Sequence, residues 1–74
     1  MIKTQTNAYD SSTIEASTYI YETKDLFINF KFGLYKYLNV SEEDYIKFST
    51  DKSQGIALNT IIKGVYEYEK LDDI

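Results

Sequence analysis

The pattern of hydrophobic positions divides the chain into a first half with the period of strands and a second half with the spacing of helices. Segments 13–21, 26–32 and 34–38 are rich in β-branched and aromatic residues, and a polar stretch and Gly33 separate them. Strands with such short connections predict a three-stranded antiparallel meander. The first ten residues, 1–10, show no period, so we expect an N-terminal lead-in followed by a single domain over 11–74.

The second half begins with a helix-start signal. Ser41 precedes three acidic residues, which is typical of an N-cap followed by carboxylates at the positive end of the helix dipole. Residues 58–65 carry apolar side chains at i, i+3, i+4 and i+7, and Gly64 is placed to end that helix. Residues 65–69 alternate, which leaves an extended tail and a continued helix open. The sequence therefore predicts an α+β fold with two helices packed on one face of the sheet.

The alternation also predicts which side chains face the helices. In the second strand the apolar residues share one side: Leu26, Ile28, Phe30 and Phe32. We expect Ile14 and Ile20 of the first strand to face inward as well. Because burying an unpaired lysine is costly, Lys36 should face outward and its neighbours Tyr35 and Tyr37 inward. The outer side, here called the predicted sheet face, then carries aromatic residues interleaved with lysines: Tyr19, Tyr21, Phe27, Lys31 and Lys36.

Three interpretations fit the predicted sheet face. Cross-strand aromatic pairs stabilise sheets, so the residues could serve packing alone. Exposed tyrosines are also the residues that protein-binding hot spots use. Aromatic rings beside lysines are, in addition, what single-strand binders use to stack bases.

Composition narrows the chemistry. The chain has 74 residues, enough for one domain with a small core. It contains no cysteine and no histidine, which excludes thiolate and imidazole metal ligands and the Ser-His or Cys-His pairs of nucleophilic catalysis. The acids at 42–44 are interpreted as helix caps, and 51–55 lacks the later ligands of a calcium loop. We therefore expect no catalytic residues, no metal and no cofactor.

Charge and hydropathy restrict the kinds of partner that we expect. Twelve acids against eight bases, all of them lysine, give a net charge of −4. An acidic chain without arginine lacks the basic surface that nucleic-acid binding requires. No apolar run is long enough to span a membrane, and no apolar region follows Lys3 as it would in a signal peptide. We expect a cytoplasmic protein without membrane contact.

Several short motifs follow one another along the chain: Ser11-Ser12-Thr13-Ile14, Leu26-x-Ile28-x-Phe30, Tyr35-Lys36-Tyr37, Ser53-x-Gly55, Asn59-x-x-Ile62-Lys63 and Tyr66-x-Tyr68. In this order and spacing they resemble the KTSC domain, found at the C-terminus of some lysyl-tRNA synthetases and as stand-alone bacterial and phage proteins. The resemblance implies a small domain without an established activity, and the synthetase association implies RNA as one partner. Ile56, Thr60 and Glu69 stand where that family is often basic, which argues against RNA here.

These observations favour a non-catalytic protein-binding module. A small acidic domain docks on a basic, nucleic-acid-binding partner through charge complementarity. In a phage or other mobile element, such a protein would inhibit a host nucleic-acid-handling or defence protein. The alternative is a module that binds RNA or another single strand through the predicted sheet face. A homodimer through the edge of the third strand or through that face is a further expectation, because a small core gains from extra burial.

Overall fold

The computed structural model describes residues 3–31 and 33–71. The strands are β1 (Thr4–Ala8), β2 (Ile14–Ile20), β3 (Asp25–Phe30), β4 (Gly33–Tyr37) and β5 (Tyr68–Lys70). The helical elements lie between β4 and β5. They are α1 (Glu42–Thr50), α2 (Gln54–Ala57) and a π-helical segment, Leu58–Ile62, that continues directly from α2. The expected inward position of Phe32 lies outside the described residues.

The sheet has five strands in the order β1-β2-β3-β4-β5, and every neighbouring pair is antiparallel. The α+β class and the central meander, β2 to β4, are therefore confirmed, but the prediction of three strands is wrong. Thr4–Ala8, within the expected lead-in, forms a strand at one edge, and Tyr68–Lys70 forms a strand at the other. Because β5 covers the outer edge of β4, that edge is closed to the homodimer expected there.

A β-bulge in β2 sets which side chains face the helices. The register between β2 and β3 shifts between Ile14 and Ala16, so Glu15 is the extra residue. After the bulge, Ser17 and Tyr19 are the residues of β2 that face the helices, and both are buried. The expectation that Ile20 faces inward with Ile14 is therefore wrong, since a bulge reverses the alternation.

The hydrophobic core lies between one face of the sheet and the helical layer. Its buried members come from β2, β3, β4, the β4–α1 loop and the helices: Ile14, Tyr19, Leu26, Ile28, Phe30, Tyr37, Val40, Tyr45, Phe48, Ala57, Leu58 and Ile62. The Tyr19 and Tyr45 rings stack with centroids 4.4 Å apart, which joins β2 to α1. Among the described residues, no buried side-chain nitrogen or oxygen lacks a hydrogen-bond partner.

Side-chain caps explain where the helices begin. The Ser41 hydroxyl accepts a hydrogen bond from the Asp44 amide at 3.2 Å, which confirms the predicted N-cap of α1. The Ser53 hydroxyl accepts one from the Ile56 amide at 3.4 Å, which caps the start of α2. The predicted second helix is shorter than its pattern, because Lys63 is extended and Gly64 takes a positive φ of 84°. Val65 is consequently exposed rather than buried.

Over the described residues, no helix is long and apolar enough to cross a membrane.

Candidate functional site

The predicted sheet face does not form as one surface. Tyr19 lies on the helix side, only 1% exposed, and its hydroxyl donates a hydrogen bond to the Val40 carbonyl at 2.6 Å. Burial raises the pKa of the Tyr19 phenol, and the nearby Glu42, Tyr21 and Tyr66 raise it further. The expectation that Tyr19 faces outward is wrong, because the bulge at Glu15 reverses the alternation.

Tyr21 also lies on the helix side. Its ring packs edge-on against Tyr19 and Tyr45, with centroids 4.9 Å and 6.3 Å away. Its hydroxyl donates to the Gln5 side-chain oxygen at 2.9 Å, and the Lys3 ammonium sits 4.5 Å from the ring centroid. The outward placement of Tyr21 is therefore also wrong, for the same reason.

The other predicted residues stay away from the helices. Phe27 and Lys36 are register partners on the outer side, where the Lys36 ammonium is 5.9 Å from the Phe27 ring centroid and 3.8 Å from an Asp25 carboxylate oxygen. Lys31 is exposed immediately after β3. We call the side opposite the helices the open sheet face; its central row runs Thr6, Thr18, Phe27, Lys36 and Glu69. That row holds one aromatic ring, Phe27, and its lysine is ion-paired.

A second surface lies on the helix side, between β4 and β5 on one wall and α2 with the π-helical segment on the other. A cavity of about 460 Å³ opens there, and we call it the tyrosine groove. Its lining comes from separated parts of the chain: Thr13, Phe30, Tyr35, Tyr37, Ser53, Gly55, Ile56, Leu58, Asn59, Lys63 and Tyr68. This volume is in the range of ordinary ligand-binding clefts.

Aromatic contacts build the sheet wall of the groove. Tyr35 and Tyr37 are two residues apart in β4, so both point to the helix side, and Tyr37 pairs with Tyr68 of β5. The Tyr68 ring lies 5.4 Å from Tyr35 and 5.6 Å from Tyr37, centroid to centroid. Phe30 packs edge-on against Tyr35 at 5.2 Å. The inward placement predicted for the β4 tyrosines is confirmed, with Tyr37 buried and Tyr35 half-buried.

The helical wall presents apolar and polar groups together. Ile56 is 63% exposed and Tyr68, across the groove, is 57% exposed. Ser53, Asn59 and Lys63 add polar groups, and Lys63 is the charged residue among the described residues that line the cavity. Burial raises the pKa of the Tyr37 phenol, and the adjacent Tyr68 and Tyr35 raise it further. The phenol therefore stays protonated at neutral pH and can donate a hydrogen bond.

Tyr66 fixes the chain that leads into β5. Its hydroxyl donates a short hydrogen bond to the Asp44 carboxylate and lies 3.3 Å from the Ser41 hydroxyl. The N-terminus of α1 is thereby tied to the segment that carries Tyr68. Sequence reasoning gave Tyr66 no such role.

Sequence reasoning placed no binding site in the groove, although a signal was present. All six of the quoted motifs contribute at least one lining residue, from Thr13 in the first motif to Tyr68 in the last. They extend over most of the chain, so only the fold shows that they share one surface.

Two comparisons with known proteins match this chain to the same domain family. A family model described as the KTSC domain matches residues 10–66, more than half of the chain. A crystal structure of a KTSC domain protein from Yersinia pestis is similar, with a TM-score of 0.86 and 30% sequence identity. The match covers 93% of this chain and 99% of that one. No curated protein matches the chain.

Proposed function

The chain belongs to the KTSC domain family, and we propose that it is a non-catalytic binding domain whose tyrosine groove takes an apolar side chain from a protein partner. One observation carries the proposal. All six motifs contribute residues to an open groove in which two large side chains, Ile56 and Tyr68, remain mostly in solvent.

The exposed apolar area supplies the affinity. Covering an isoleucine that is 63% exposed contributes about 1–2 kcal/mol. Tyrosine adds a large, rigid contact surface with a polar tip, which is why it is enriched at the energetic centres of protein interfaces. A groove walled by Ile56 on one side and by Tyr68 on the other therefore fits an inserted aliphatic or aromatic side chain.

Charge indicates which groups of the partner lie around the inserted side chain. Lys63 at the groove favours an acceptor beside the inserted side chain, such as a carbonyl or carboxylate oxygen. The chain as a whole is acidic, with a net charge of −4, and this favours a partner whose wider surface is basic. A basic nucleic-acid-handling protein, of the kind that a phage-encoded inhibitor would target, meets both requirements.

The same charge argues against nucleic acid as the ligand. A phosphate backbone needs several cations to release its counterions, whereas the groove is lined by one. The alternative of RNA or single-strand binding loses its expected platform, since Tyr19 and Tyr21 lie on the helix side.

Selection of peptides on the purified protein tests the proposal. A random peptide display library is panned on the wild type, and fluorescein-labelled copies of the selected peptides are titrated by anisotropy. We expect Ile56→Ala to weaken binding by a factor of roughly 5–30, the equivalent of the area it removes. Tyr68→Ala should weaken it at least as much.

Ile46→Ala is the matched control. Ile46 is also an exposed isoleucine on a helix, but it does not line the groove, so affinity should not change. Selected peptides that bind Ile56→Ala and Tyr68→Ala as tightly as the wild type would contradict the proposal. Binding of mixed tRNA or single-stranded RNA at physiological salt, lost in Tyr68→Ala, would assign the groove to nucleic acid instead.

A further inference from the structure

The edge strand β1 lacks the features that usually protect a sheet edge. Within the described residues the sheet order begins at β1, so one side of Thr4–Ala8 has no neighbouring strand. The strand contains no charged residue and no proline, and its register with β2 runs without a bulge. Charged residues, proline and bulges are the devices that keep natural edges from pairing.

The hydrogen-bond pattern shows which backbone groups of β1 face outward. The Tyr21 amide donates to the Lys3 carbonyl at 3.1 Å, and the Tyr9 amide donates to the Glu15 carbonyl at 2.9 Å. In an antiparallel ladder bonded and non-bonded pairs alternate, so Gln5 and Asn7 also direct their backbone groups to β2. The amides and carbonyls of the intervening residues, Thr4, Thr6 and Ala8, therefore point away from the sheet.

We propose that two copies of this chain pair through β1, antiparallel and centred on Thr6, so that the two sheets join into one. Thr6 would bond with Thr6 of the second copy, and Thr4 with Ala8 of the second copy, in both directions. This register uses all the outward-facing groups of both strands, in roughly six backbone hydrogen bonds.

The side chains of β1 favour a second copy over another strand. Gln5 lies opposite Asn7 of the second copy in this register, so an amide that both donates and accepts faces another of the same kind. Because Thr4–Ala8 carries no charged residue, this self-pairing also sets no like charges opposite one another. The opposite edge, β5, is less suitable because it is only three residues long and carries Glu69 and Lys70.

Single cysteines test the register, since the chain has none of its own. Paired Thr6 residues would have Cα atoms about 5.5 Å apart, within the range of a disulfide. Paired Thr4 residues would lie roughly 14 Å apart, beyond that range. Under mild oxidation we expect Thr6→Cys to form a covalent dimer and Thr4→Cys to remain monomeric. Equal cross-linking of the two variants would overturn the proposal.

Sedimentation of the full chain over a concentration series tests the pairing itself. The wild type should dimerise reversibly. Thr6→Pro removes an outward amide that β2 does not use, so it should raise the dimer dissociation constant at least tenfold and leave the circular dichroism spectrum unchanged. If Thr6→Pro does not fold, Thr6→Lys, which sets two ammonium groups side by side, should raise the constant similarly. A wild type that stays monomeric at millimolar concentration, or a folded variant that dimerises like the wild type, would refute the pairing.

Discussion

The buried hydroxyl of Tyr19 gives the sharpest test of the inward placement of that residue. It donates to the Val40 carbonyl at 2.6 Å, and Val40 itself is fully buried. Tyr19→Phe keeps the ring stacked on Tyr45 and removes only the donor. A lost neutral hydrogen bond costs about 1 kcal/mol, and a buried carbonyl left without a donor brings the total to about 1–3 kcal/mol.

The effect is large enough to measure. The free energy of unfolding for a domain of this size is about 4–11 kcal/mol, so a loss near 2 kcal/mol removes a substantial fraction of it. In a domain of this length that loss lowers Tm by roughly 8–16 °C. Urea denaturation followed by circular dichroism measures the free energy directly, and the m-value shows whether both variants unfold from the same compact state.

Tyr21→Phe is the matched control. It makes the same chemical change two residues along the chain, but the lost bond is to the exposed Gln5 side chain, which water can replace. We expect a cost below about 0.5 kcal/mol, since exposed groups recover their hydrogen bonds from solvent. Equal and small costs for the two variants would refute the buried position of the Tyr19 hydroxyl.

Two further predictions concern alkaline pH and the glycines. Burial, with Tyr9 and Tyr21 nearby, raises the pKa of Tyr45 from 10.0 to about 12. As pH rises, the unfolded chain therefore loses the Tyr45 proton before the folded chain does. The free energy of unfolding should be unaffected by this group below pH 10.0 and should fall as pH rises toward about 12. Urea titrations across this range should show a shallower fall for Tyr45→Phe than for the wild type. Gly64→Ala should cost about 1 kcal/mol because φ is +84°, whereas Gly55→Ala, in a helix with open space at Cβ, should stabilise by about 0.5–1 kcal/mol; thermal unfolding of both checks the contrast.

Much of the central fold could be predicted from the sequence because its signals are local. β3 and β4 alternate between inward and outward residues, and Ser41 with its following acids marks the start of α1. The edge strands gave weaker signals. β1 reads Thr-Gln-Thr-Asn-Ala and is mostly exposed, so it has no apolar alternation to detect. β5 is three residues long, too short for a period to emerge.

The prediction of the sheet face was wrong because of one residue. Glu15 forms a bulge, and from there each later side chain of β2 lies on the opposite face from the one that simple alternation gives. A bulge depends on pairing with the neighbouring strand, so the sequence of β2 alone does not mark it. The tyrosine groove was missed for a related reason, because its walls come from β4, β5 and the α2 region, which only the tertiary fold brings together.

An amide chemical-shift titration of the labelled protein with the tightest peptide from the display selection tests directly whether the tyrosine groove binds the partner. We expect the largest shifts at Tyr35, Tyr68 and the segment 53–63, with little change at Thr18 or Phe27 on the open sheet face. Shifts centred on Thr18, Phe27 and Lys36 instead, with the groove unchanged, would contradict the claim.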